Sequence, residues 1–152
     1  MQSSRSVSRA IIFAGLIAGT IDIGAASLIN WLSPVIILHS IASGLLGRAS
    51  FTGGAGTAVL GLVLQWAMAM LIAGIYIAAA QVVPMLARLW IAGGLAYGVV
   101  IYFVMNFVVV PLSNAPFRHH AVELTKASED MLAMLVFGLI VAWFARGTHD
   151  AS

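Results

Sequence analysis

The chain contains no cysteine, which excludes disulfide staples, thiolate metal sites and thiol nucleophiles together. Charge is almost as scarce: Asp, Glu, Lys and Arg make up 8% of 152 residues, against about a quarter in an ordinary soluble domain. The signatures of common chemistry are missing as well. There is no HExxH, no P-loop, no Ser-His-Asp set at a shared depth and no pair of intramembrane histidines to hold haem. His119 and His120 are adjacent in a polar loop, where neighbouring side chains point apart, and no carboxylate is suitably spaced to complete a metal site with them. The expectation is therefore a protein that is not an enzyme and carries no cofactor and no metal.

What the chain has instead is apolar length. Hydrophobic residues reach 62% and the mean hydropathy is +1.06. Crossing a hydrocarbon core of about 30 Å as a helix takes roughly 18 or more apolar residues. Four stretches qualify or come close: 10–32, 57–80, 90–112 and 129–146. The net charge of +2 comes from scattered loop residues with no basic stripe, so no nucleic acid is expected as a partner. The fold class expected is an all-α integral membrane four-helix bundle, residues 1–152 forming one transmembrane domain with the lipid bilayer as its solvent.

Arg5 and Arg9 before an apolar run imitate a signal peptide, and Ala25-Ala26-Ser27 imitates a cleavage site. The run continues past that site to Trp31, so it is read as a retained first span. With the N-terminus inside, Arg5, Arg9, Arg88 and Arg146 are cytoplasmic while Arg48, Arg118 and Lys126 face out. That balance favours both termini in the cytoplasm. Trp31, Trp90 and Trp143 fall near span ends and read as interfacial anchors.

The connections differ in kind. Residues 81–89, with Pro84, make a short turn between antiparallel neighbours. Residues 34–47 are too apolar for a solvated loop and too short to span. Ser33 and Pro34 suit an N-cap and first helical position, and Gly47 suits a stop, which predicts a short interfacial or re-entrant helix between the first two spans. Ser128 before Glu129 and Asp130 reads as a cap of the last helix, with acidic residues in its first turn.

At 100° per residue Gly15, Gly19, Asp22 and Ala26 share one face of the first span. Gly15 and Gly19 form a small-xxx-small pair that admits another helix closely, and Gly94 and Gly98 repeat the spacing in the third span. Gln65 shares a face of the second span with Ala58, Gly61, Ala69, Ile72 and Tyr76, and Asn106 shares a face of the third with Leu95, Val99 and Tyr102. Because helix direction alternates, Asp22, Gln65 and Asn106 all fall in the outer half, on the side of His39, Arg48, Glu129 and Asp130. The sequence thus predicts a polar cluster of Asp22, Gln65, Asn106, Tyr102 and His39 centred on the carboxylate. An intramembrane Asp is expensive and marks a functional site, though interhelical hydrogen bonding by Gln65 or Asn106 would equally account for it.

The segments Gly15-Leu-Ile-Ala-Gly19, Trp90 to Gly98, Met105 to Ser113 and Leu135-Val-Phe-Gly138, with Arg146 closing the last span, resemble the YagU-like small bacterial inner-membrane proteins and their relatives. The resemblance covers nearly the whole layout. It implies a bacterial cytoplasmic-membrane location, a four-helix bundle and a histidine inside the second and fourth spans, where this chain has Gln65 and Met134. It implies no particular biochemical activity.

Two functions follow as expectations. One is an accessory or structural subunit whose glycine-rich faces dock on a larger membrane complex. The other is a small homo-oligomeric channel or proton-coupled transporter working through Asp22. Water reaching Asp22 would mark the second, and a glycine face turned outward to a partner the first.

Overall fold

A computed structural model describes residues 2–116 and 124–150. Among them every regular element is helical: α1 (Gln2–Asn30), α2 (Pro34–Leu46), a 3₁₀ turn (Gly47–Thr52), α3 (Gly54–Val82), α4 (Pro84–Arg88), α5 (Trp90–Val104), a π-helical turn (Met105–Val109), α6 (Val110–Leu112) and α7 (Leu124–Asp150). α5, the π turn and α6 are one continuous rod. Five segments are long and apolar enough to cross a membrane: Ser6–Asn30, Pro34–Thr52, Gly54–Val82, Trp90–Leu112 and Leu124–Thr148.

The helix ends are set by local chemistry. α1 stops in a Schellman turn, Leu32 N–H donating to Ser27 C=O at 3.1 Å and Trp31 N–H to Leu28 C=O at 3.3 Å. The left-handed residue of that turn is Trp31 at φ 52°, where glycine is usual. α2 then starts at Pro34 behind the Ser33 cap, whose hydroxyl accepts from Ile36 N–H, and ends at Gly47 with φ 63°. Asn114, just beyond α6, secures that end from outside. Its backbone N–H donates to Gly44 C=O at 2.9 Å, and its side-chain amide donates to Leu45 C=O at 3.1 Å.

Ser128 is not a cap. α7 has already begun at Leu124, and the Ser128 hydroxyl donates back to Thr125 C=O at 2.7 Å within the helix. A serine with acidic followers suits a first turn, but it also satisfies itself against its own helix, and here the helix runs through it. His119, His120, Arg118 and Glu123 lie outside the described residues.

The bundle packs through small residues and turns its large ones outward. Ala14, Ala18, Ala73, Ala142 and Ala145 are buried, joined by Ile77, Val141 and Phe137, whereas Phe13, Leu71, Phe103 and Phe107 are exposed. Such an arrangement is unfavourable in water and natural in lipid, where close backbone approach replaces the hydrophobic effect as the source of helix association. α1 runs antiparallel to α3, and a Cβ on Gly15 would lie 2.7 Å from Met70 Cα. α5 runs antiparallel to α7 even more closely. A Cβ on Gly138 would meet Gly94 C=O and sit 2.8 Å from Gly98 N, and one on Gly98 would sit 2.8 Å from Leu135 Cα. α1 also packs against α7. Tyr97 bridges to α3, its hydroxyl donating to Ile72 C=O at 2.8 Å.

A candidate site at Asp22

Asp22 is positioned by the α1–α3 contact. Gly19, one turn earlier, lets α3 approach until a Cβ there would lie 3.0 Å from Ala69 Cβ. That approach brings Gln65 opposite Asp22, and the Gln65 amide nitrogen donates to Asp22 Oδ2 at 2.7 Å. Trp66, next along α3, donates its indole N–H to the Thr20 hydroxyl at 3.1 Å, a second cross-link on the neighbouring face. Asp22 Oδ1 has no hydrogen-bond partner among the described residues. The carboxylate is therefore oriented by a neutral amide and paired with no cation among the described residues.

Two spaces border it. On one side lies a groove of about 440 Å³ between α1 and α7, lined by Ala18, Ala25, Ala133 and Phe137, with Asp22 inside, Glu129 on the opposite wall and Trp31 at the rim. Alanines at the helix contact leave this space, and the outward-turned Ile21, Leu28 and Leu132 form its lips. On the other side is a cavity of about 30 Å³ walled by Gln65, Met68, Ile101, Met105, Met134 and others, with Asp22 again on its boundary. That volume is enough for one water molecule. Asp22 thus separates a groove from a pocket at the bundle's centre.

The other members of the predicted cluster go elsewhere. Asn106 is exposed, and its amide donates to Tyr102 C=O on its own helix at 2.9 Å. Tyr102 is half-buried with its ring against Phe103. His39 serves the α2–α3 turn, its Nε2 3.0 Å from Gly54 C=O and its ring edge-on to Phe51. Of the five residues, the described structure brings together Asp22 and Gln65. The four glycines Gly15, Gly19, Gly94 and Gly98 all face helices of the same chain.

Glu129, expected on the same side of the bundle as Asp22 but outside the predicted cluster, lines the groove with it. Its signal was present: an acidic residue near the head of the last span, on the same side of the bundle as the end of the first. Asp130 beside it adds negative charge that acts on Asp22, and Lys126 offsets part of that at Asp130. No group of three or more His, Cys, Asp or Glu capable of holding a metal occurs among the described residues. Comparisons with protein-family models, with curated proteins and with solved structures give no match. What the fold defines is a class: an α-helical protein with multi-pass hydropathy.

Proposed function

We propose that this chain is a multi-pass protein of the bacterial cytoplasmic membrane, crossed four times, which moves protons or a small solute past Asp22 as an oligomer. The observation that carries the reading is the Asp22 carboxylate, held by Gln65 at 2.7 Å and lining both the α1–α7 groove and the central cavity. A group used only to fasten helices has no need of open space on both sides.

Four crossings rather than five are supported by the geometry of α2. Gly47, at φ 63°, ends α2 after 13 residues and about 20 Å, so the 19-residue apolar segment Pro34–Thr52 is broken there and is not one straight helix of spanning length. The start of α2 follows the end of α1 by three residues, and its last turn is capped by Asn114, which follows the end of α6. Both ends of α2 therefore belong to the same end of the bundle, as expected for a helix lying at the interface. The Lys and Arg distribution favours the other end as cytoplasmic, holding both termini.

As an accessory subunit the chain would present its glycine faces to a partner. Those faces are occupied internally by α1 against α3 and α5 against α7, which favours transport over docking. Kinship with the YagU-like proteins belongs to the same proposal. Gln65 and Met134, from the two spans in which the resemblance implies a histidine, line one cavity together with Asp22.

The test is proton flux. Wild-type protein in liposomes with an internal pH dye should collapse an imposed pH gradient faster than empty liposomes, and Asp22→Asn should remove the excess rate. Equal rates for the two proteins would overturn the proposal.

A further inference from the structure

We infer that the groove between α1 and α7 binds an amphiphilic organic cation, drawn from the lipid side, whose charge takes the place of a proton on Asp22. The exchange step rests on the transport reading above, while the binding itself rests on the geometry of the groove.

Size comes first. At about 440 Å³ the groove falls within the range of roughly 300–1,000 Å³ that small-molecule sites occupy. Among the described residues its walls are apolar apart from two carboxylates, Asp22 and Glu129, and no described Lys, Arg or His lines it. Neither carboxylate has an ion-pair partner among the described residues, and Glu129 has no hydrogen-bond partner there either. The electrostatic balance of the site is thus negative. Among the described residues on the elements packed against it, the groups that act on Asp22 are Gln65 from α3 and Asp130 from α7, and Lys126 acts on Asp130.

Shape and access narrow the class. Along α1 the nine residues from Asp22 to Trp31 rise about 13 Å, so the carboxylate sits deep and the indole sits at the mouth. Trp31 is 92% exposed and Phe137 is buried in the wall, which places one aromatic ring at the rim and another inside. Aromatic faces attract cations, more strongly when the cation is weakly hydrated. The lips, Ile21, Leu28 and Leu132, are themselves exposed and apolar. In a bilayer such an opening faces acyl chains. A strongly hydrated metal ion is poorly suited to enter by that route, and a neutral apolar molecule would leave both carboxylates without a counter-charge. A delocalised organic cation with apolar substituents matches the apolar walls, the carboxylates and the aromatic mouth at once.

The experiment is equilibrium dialysis of tetraphenylphosphonium against the full chain in phosphatidylcholine nanodiscs, with empty nanodiscs as the blank. Saturable binding is expected. Asp22→Asn should weaken it about tenfold or more, as removing one partner of a desolvated charge pair does. Glu129→Gln, at a half-buried position that bonds to nothing described, preserves the fold and should weaken binding less. Neutral triphenylphosphine oxide should not compete. The inference is overturned if binding does not exceed the blank, if both variants bind as wild type does, or if the neutral analogue competes equally well. Proton flux without phosphonium binding would sink this inference and leave the transport reading standing. Saturable, Asp22-dependent binding without flux would uphold the cation site and remove the transport reading.

Discussion

Gln65 and Asp22 face one another from antiparallel helices, amide nitrogen to carboxylate oxygen at 2.7 Å, where Gly19 has let the two backbones converge. The pair is structural and chemical at once. Gln65 fixes one oxygen of the carboxylate and leaves the other to the spaces around it.

These two roles separate by mutation. Asp22→Asn keeps an acceptor for Gln65 and should change stability by less than about 0.5 kcal/mol, whereas Gln65→Leu removes the donor and should cost about 1 kcal/mol, typical of an interhelical hydrogen bond in a membrane. Reversible unfolding in mixed micelles checks both. A larger loss for Asp22→Asn than for Gln65→Leu would mean that the carboxylate itself holds the fold.

Glycine position decides the cost of a methyl group. Gly138→Ala drives a Cβ against Gly94 C=O and to 2.8 Å from Gly98 N, so overpacking should cost about 1–3 kcal/mol. Gly24→Ala meets nothing within 4 Å and should be neutral or slightly stabilising, since alanine is the better helix former. Thermal denaturation of the two variants, followed by circular dichroism, should rank them in that order.

Trp31 occupies a left-handed position that costs a side-chain-bearing residue about 1–2 kcal/mol. Trp31→Gly should therefore leave stability unchanged or raise it by about 1 kcal/mol, while removing the aromatic mouth of the groove and weakening phosphonium binding. Parallel unfolding and dialysis measurements test the opposed signs. A parallel fall in both would mean that the indole serves packing.

Ser50 is fully buried and its hydroxyl has no partner among the described residues, although its carbonyl accepts from the Thr57 hydroxyl at 2.8 Å. An unsatisfied buried hydroxyl is destabilising, so Ser50→Ala should stabilise the α2–α3 connection by up to about 1 kcal/mol. Slower amide exchange across residues 47–57 is the expected readout.

Much of the architecture was readable because punctuation residues act locally. Ser33, Pro34 and Gly47 bound α2 through their own backbone preferences, and the glycine spacings coincide with the closest helix contacts. The face of α5 was not readable from polarity. The amide at Asn106 directed attention to Leu95, Val99 and Tyr102, but the inward stripe is Gly94, Gly98, Ile101 and Met105, one residue earlier and turned by about 100°. In a helix apolar all round, hydrophobicity does not distinguish inside from outside, and small residues mark the contact because helices in lipid associate by close packing. Asn106 can sit outside because its amide bonds to its own backbone at Tyr102. On α3 the amide and the small residues shared one face, so Gln65 was placed correctly opposite Asp22. Glu129 could be put on the same side as Asp22, but its place in one groove with Asp22 depends on how α1 and α7 pair, which no local pattern encodes.

The absence of cysteine makes the central claim directly measurable. In liposomes, Asp22→Cys should react rapidly with an amphiphilic cationic thiol reagent, whereas Ala14→Cys, at a position 0% exposed, should not. The account requires that contrast, with phosphonium slowing the reaction at position 22. Equal inertness at the two positions would show Asp22 to be sealed inside the bundle, a fastener between helices and nothing more.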